Sequence, residues 1–349
     1  MLDTLGDVTN SDSIDSMNPR QAAPAESHRD AARNKDEVKG TETIATRMAD
    51  SSTSMIRVFP AGENTVSSGA DSEGKTGATQ PPLIVIWPGW GMGARYYDPM
   101  GRELASRGYN VATGELHGQG SSTARATRMK RWGYHEMASQ DYPRTIRAAK
   151  ERFNLPETHP VVLLCHSMGG QIGSLFLARP EASELNVVGM IGVGAGTPFY
   201  KGFSGAPRYQ LQYGAPVMRL VTKALGYQPE GKLDFAGYGR QSGVHVGEWF
   251  RLSRTNRFIN LSGADLNYEA ALQEITTPVL LLRFRNDYDC TTRSAHNLAS
   301  MMPKSKTLKG RGSGPEVETI EGKLGHNRWA REPEQVAMRV EEFIDDLEK

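Results

Sequence analysis

Ser167 ends an apolar run, Val161-Val162-Leu163-Leu164-Cys165-His166, and opens a turn of small residues, Ser167-Met168-Gly169-Gly170. A serine held on a tight strand-to-helix turn lifts its hydroxyl above the end of a sheet, where a second side chain can activate it as a nucleophile. The expected frame is Gly-x-Ser-x-Gly, and Cys165 stands where its first glycine would be. A bare Ser-x-Gly recurs by chance, so its context must carry the reading. Here that context is a β-like run before the serine and, after it, Gln171-Ile172-Gly173-Ser174-Leu175-Phe176-Leu177-Ala178, which reads as a buried helix.

Other glycine clusters do not point to a cofactor. The run Gly192-Val193-Gly194-Ala195-Gly196 lacks the full Gly-x-Gly-x-x-Gly placement at a first strand and the ribose-binding acid that follows it, and Gly118-Gln119-Gly120 has no Gly-Lys-Ser/Thr beside it. No His-Glu-x-x-His segment is present, and the two cysteines, Cys165 and Cys290, form neither a disulfide framework nor a four-ligand zinc cluster. The expectation is free core thiols, no metal and no cofactor. A net charge of +1 on 349 residues gives no support for a polyanion-binding surface, so nucleic acid is not expected as a partner. No apolar run reaches the roughly 18 residues of a membrane span and no secretory signal pattern opens the chain, which makes the cytoplasm the default compartment.

The elements that must position Ser167 follow an alternating rhythm. Residues 1–54 are mostly small and polar and are expected to be a disordered extension, with residues 31–49 able at most to become helical against a partner. Met55-Ile56-Arg57-Val58-Phe59 reads as an edge strand, because Pro60 near its end cannot donate to a central ladder. Leu83-Ile84-Val85-Ile86-Trp87 is a buried strand that ends in Pro88-Gly89-Trp90-Gly91. A helix over 96–108, a strand over 109–113, an aromatic loop at Trp132-Gly133-Tyr134-His135 and a helix over 138–153 precede the Ser167 strand. Further strands are expected at 187–193, 278–284 and 315–320, with helices at 295–301 and 333–347. Strand-helix-strand alternation implies right-handed crossovers and a predominantly parallel central sheet with helices on both faces. The aromatic-rich interval 199–273 interrupts the rhythm and is read as a cap inserted into a core made of 55–198 and 274–349.

The ordered set Trp132-Gly133-Tyr134, Cys165-His166-Ser167-Met168-Gly169-Gly170, Asn286-Asp287 and Gly325-His326 resembles the α/β-hydrolase superfamily, and within it a poorly characterised group of serine hydrolases, over roughly residues 55 to 345. The resemblance implies that Ser167 attacks an acyl carbon. It implies that His326, after the last strand, is the general base, and that Asp287, after the penultimate strand, orients that histidine. Asp289 is a rival acid, Glu321 a more distant one, and Phe284 replaces the glycine of the family's acid turn. His166 is read as a packing or hydrogen-bonding residue of the turn, while His117 and His245 stay open as alternative functional histidines. The backbone amides of Trp90 and Met168 are expected to form the oxyanion hole, although Pro88 stands where the family's loop has histidine.

Together these features lead to cofactor-independent hydrolysis of a carboxylic ester or thioester through a serine acyl-enzyme. The expected substrate is a small or medium-sized, moderately hydrophobic acyl compound. An acyltransferase using the same nucleophile and a noncatalytic binding protein of the same fold are the alternatives.

Overall fold

The computed structural model describes residues 41–62, 80–234, 237–308 and 313–348. Ten strands occur among them: β1 Glu42–Arg47, β2 Thr53–Phe59, β3 Leu83–Trp87, β4 Val111–Thr113, β5 Val161–His166, β6 Val187–Val193, β7 Tyr227–Gln228, β8 Gln241–Ser242, β9 Val279–Phe284 and β10 Glu316–Ile320. Eight of them form one sheet in the order β1-β2-β4-β3-β5-β6-β9-β10, and β7 pairs with β8 apart from it. In this sheet β4, β3, β5, β6, β9 and β10 run parallel, while β2 is antiparallel to both β1 and β4.

Strand parity builds the two faces. In β3, Leu83, Val85 and Trp87 join Tyr142, Ile146, Ile172 and Phe176 on one side of the sheet. Ile84 and Ile86, pointing the other way, join Met100, Leu104, Val340 and Phe343 on the opposite side. Side chains alternate across a strand, so a continuous apolar run such as Leu83–Trp87 is the mark of a strand covered on both faces. The helices Tyr142–Arg152 and Met168–Leu177 cover the first face; Asp98–Ser106 and Glu334–Leu347 cover the second. The expected α/β architecture, a mostly parallel sheet between helical layers, is the one observed.

The sheet edge differs from expectation. β2 is an interior strand, and β1, within the segment expected to be disordered or at most helical, forms the edge. Residues 1–40 of that segment lie outside the described residues. The strand Glu42–Arg47 is mostly exposed, with Ile44 packed against the core, so its composition carries almost no hydrophobic signal. Its backbone nevertheless pairs with Thr53–Val58 of β2, and the connecting turn is closed by Met48 N–H donating to the Ser52 carbonyl at 2.8 Å. Pro60 lies just beyond the ladder, where no donor is needed.

Between β6 and β9 the chain forms the helices Gly205–Tyr209, Ala215–Leu225, Gly243–Thr255 and Tyr268–Leu272 and the β7-β8 pair. Ser242 caps the third of these helices by accepting from Val244 N at 3.3 Å. The same hydroxyl accepts from Trp132 N at 3.0 Å, which ties this interval to the Trp132 loop.

Candidate active site

Ser167 sits at φ 50° and ψ −117°, in the positive-φ region that a residue with a Cβ rarely adopts. The strain is imposed by what surrounds the turn. Its amide donates to the Val193 carbonyl at 2.9 Å and its carbonyl accepts from Gly170 N at 3.0 Å, so the chain passes from strand to helix without an intervening loop. The helix start is also wedged between two strand ends. A Cβ on Gly169 would lie 2.7 Å from the Pro88 carbonyl oxygen, and one on Gly170 would lie 2.4 Å from the Ala195 Cβ.

The cysteine at the missing glycine position has a structural counterpart. Cys165 is buried, and a Cβ on Gly173, one helical turn into the following helix, would stand 3.0 Å from its sulfur and 2.9 Å from the Met190 sulfur. The space that a glycine would usually leave at residue 165 is left at residue 173.

Three side chains from distant loops meet at this rim of the sheet. His326 Nε2 is 2.9 Å from Ser167 Oγ, and His326 Nδ1 is 3.0 and 2.9 Å from the two carboxylate oxygens of Asp287. With Nδ1–H donating to Asp287, Nε2 is left to accept the Ser167 hydroxyl proton. Asp287 is 2% exposed and its Oδ1 also accepts from the amides of Asp289 and Cys290, at 2.9 and 2.8 Å. Burial by itself would lower the His326 pKa, but the charge and hydrogen bond of Asp287, with a contribution from Asp289, raise it to about 9. Gly194, at φ +61°, makes this pair possible: a Cβ there would be 3.0 Å from His326 Nδ1 and 3.2 Å from Asp287 Oδ2. The glycine run that carries no nucleotide fingerprint thus clears the space for a histidine and a carboxylate.

Asp289 is exposed and Glu321 is paired with Arg285. One potential ligand atom each from Asp287, Asp289 and His326 lies within 4.8 Å of the others. The Asp287 and His326 atoms are already engaged with each other, so this trio is built as a hydrogen-bonded pair with a charge beside it. Neither His117 nor His245 is hydrogen-bonded to Ser167 or Asp287. His117 is held by Asp141 and Asp50, at 3.3 and 3.2 Å, and His245 is fully buried at 5.0 Å between ring centroids from Trp90. Burial pushes the His245 pKa down to about 3.

The Pro88-Gly89-Trp90 turn lies directly against the serine: a Cβ on Gly89 would be 3.3 Å from Ser167 Cβ. Met168 opens the helix that follows Ser167, so its amide is one of the first-turn donors that have no partner inside a helix.

The residues 84–339 match the model of the alpha/beta hydrolase family. The chain belongs to that family. No match was found among curated protein sequences. Among solved structures, this hydrolase is similar to an esterase from Exiguobacterium antarcticum (18% identity, TM-score 0.50, 87% of this chain and 100% of that one). It is also similar to a putative aryl esterase from Burkholderia cenocepacia (17%, 0.51, 88% and 100%) and to the thioesterase domain from the curacin biosynthetic pathway (13%, 0.50, 86% and 99%). At these identities the likeness concerns the fold of the hydrolase.

Two residues of the site have no sequence signal. Tyr97 donates its hydroxyl to His166 Nδ1 at 2.5 Å and accepts the Gly89 amide at 3.0 Å. Gln171 accepts from the Tyr134 hydroxyl at 2.6 Å and donates to the Gly196 carbonyl at 2.7 Å, spanning from the Trp132 loop to the end of β6. Both read in sequence as ordinary helix residues, and only the folded chain places them beside the Ser167 turn.

Proposed function

We propose that this chain hydrolyses a carboxylic ester or thioester through an acyl-enzyme on Ser167. The observation that carries the reading is the unbroken hydrogen-bond chain from Ser167 Oγ through the His326 ring to the buried Asp287 carboxylate. As Ser167 attacks the carbonyl carbon, His326 Nε2 takes its proton and Asp287 stabilises the imidazolium that forms. The tetrahedral oxyanion is received by the Met168 and Trp90 amides, each contributing about 3 kcal/mol when correctly aimed. His326 then returns the proton to the departing alcohol or thiol. A water deprotonated by the same nitrogen attacks the acyl-enzyme and releases the acid.

Interval 199–273 acts in this reading as a cap over the site. Trp90 links it to the oxyanion turn, since its ring stacks on Tyr238 at 4.2 Å and touches Trp249 at 5.0 Å. These apolar walls suit a moderately hydrophobic acyl group.

The test is labelling by a fluorophosphonate followed by mass mapping, with an activated ester as substrate. The adduct is expected on Ser167, and Ser167→Ala is expected to lose both the adduct and the burst of leaving group while melting as the parent does. An unchanged burst in Ser167→Ala would reject the assignment. Product analysis with an added alcohol separates hydrolysis from acyl transfer.

A further inference from the structure

Of the eight large hydrophobic side chains exposed among the described residues, six fall on two adjoining segments. Tyr209, Tyr213, Val217, Leu220 and Leu225 belong to the stretch built from the helices Gly205–Tyr209 and Ala215–Leu225. The sixth, Met129, is 87% exposed on the loop that docks at the end of that stretch, where Arg128 donates to the Ala224 carbonyl at 2.6 Å. The Tyr209 and Tyr213 rings stack, and Val217 and Leu220 continue at helical spacing, while Ala215, Met218 and Thr222 face inward. Exposed apolar side chains are ordinary when scattered; a row of them along one helical stretch is a surface that has something to bury against.

The charge around this row is one-signed. Residues 116–135 and 199–229 hold eight Lys or Arg and no Asp or Glu, in a protein whose net charge is only +1. Arg208, Lys223, Arg128, Lys130 and Arg131 are exposed, and none of them has an ion-pair partner among the described residues. Many other arginines among the described residues are ion-paired, as in Arg57 with Asp98, Arg179 with Asp265 and Arg339 with Glu318. The next acid along the chain, Glu230, is held by Arg125 and Arg240.

We infer that this face of the 199–273 interval docks on an anionic lipid surface, with Tyr209, Tyr213, Val217, Leu220 and Met129 entering the interface and the flanking cations meeting headgroup phosphates and carboxylates. An amphipathic helix with an apolar and aromatic row and a cationic border is the chemistry that lies in a bilayer interface without crossing it. No helix among the described residues is long and apolar enough to span a membrane. A second copy of this chain is a poor occupant, because a two-fold contact would set each cationic border against itself. A nucleic acid would use the cations but leave Val217 and Leu220 without a role. Docking here would bring a membrane-derived ester to the cap side of Ser167, but the binding itself does not rest on the proposed chemistry.

Sedimentation of the full chain with phosphatidylcholine vesicles, with and without about 30% phosphatidylserine, tests this directly and reads no turnover. Binding is expected to the phosphatidylserine vesicles, weakened about tenfold or more on phosphatidylcholine alone, and to fall with added salt. The pairs Val217→Asp with Leu220→Asp and Lys130→Glu with Arg131→Glu are each expected to lose about tenfold or more of that binding while melting as the parent does. Equal binding to both vesicle types, no binding, or variants that bind like the parent would overturn the inference. A concentration-dependent dimer abolished by Leu220→Asp would assign the face to a second copy. RNA binding that resists the Val217 and Leu220 changes but not the Lys130 and Arg131 changes, in the absence of vesicle binding, would assign it to nucleic acid.

Discussion

His166 Nε2 donates to the main-chain carbonyl of His326 at 2.9 Å, so the residue before the strained serine holds the loop that carries the histidine partner of that serine. A carbonyl only accepts, which fixes the His166 proton on Nε2 and leaves Nδ1 to accept from the Tyr97 hydroxyl at 2.5 Å. Burial, with the neighbouring His326, holds the His166 pKa well below its ordinary value, so it stays neutral in this role. The Trp329 indole donates to the same carbonyl at 3.0 Å.

His166 and Tyr97 are therefore positioning residues for the proposed reaction. His166→Phe is expected to lower kcat about tenfold to a hundredfold with little change in KM, the cost of leaving buried polar partners unpaired next to the site. Tyr97→Phe should cost less, because the bond from His166 to the His326 carbonyl survives. Steady-state kinetics on a soluble ester checks both; a KM effect without a kcat effect would place these residues in substrate binding.

Asp287 and Asp289 should separate cleanly. Asp287→Asn is expected to lower kcat/KM by about 10³ to 10⁴, since the amide no longer fixes the ring tautomer or stabilises the imidazolium. Asp289→Asn removes one of the charges that raise the His326 pKa, but touches neither ring nitrogen. Its expected mark is an acid shift of the pH profile with nearly full activity. A larger loss in Asp289→Asn than in Asp287→Asn would reverse the assignment.

The pH dependence follows from the same pair. In the proposed reaction His326 must be neutral to act as the base, so kcat/KM is expected to climb with pH through the value of about 9 to which its pKa is raised, well above an unperturbed imidazole near 6.5. A stopped assay over pH 6 to 10 reads this limb.

Stability should change over the same range for a second reason. Burial works to lower the His117 pKa, but the hydrogen bond and charge of Asp141 and the charge of Asp50 raise it to about 9. A folded pKa above the unfolded value means that this stabilisation is complete below about pH 6.5 and is lost as pH rises through about 9. Urea unfolding at the two ends of that window should show the parent losing stability toward high pH and His117→Gln losing less, since the variant lacks the titrating group. Asp50 lies beside the turn between β1 and β2, so the sheet edge is where the loss should appear first by hydrogen exchange.

Packing at the serine turn can be tested by a reciprocal pair. Gly170→Ala places a methyl 2.4 Å from the Ala195 Cβ and is expected to destabilise the protein by about 1–3 kcal/mol. Ala195→Gly in the same chain removes the opposing methyl and should recover part of that loss. Thermal or urea melts of the two single variants and the double variant measure the coupling.

The sheet and the residues of the proposed chemistry were legible because each rests on local pattern. Continuous apolar runs such as Val161–His166 and Leu83–Trp87 mark strands buried on both faces, and Ser167, Asp287 and His326 each follow such a run or the last strand in chain order. What stayed hidden depends on partners distant in sequence. An exposed strand such as Glu42–Arg47 has too little apolar surface to announce itself, because its stability comes from backbone bonds to β2. The Tyr97 hydroxyl, the space that Gly194 keeps open and the shift of a small residue from position 165 to 173 are likewise properties of contacts between elements. Residue types along the chain thus determined which groups could react, while tertiary packing decided which of them meet, since hydrogen bonds and close approaches act through a few ångströms of space whatever their separation in sequence.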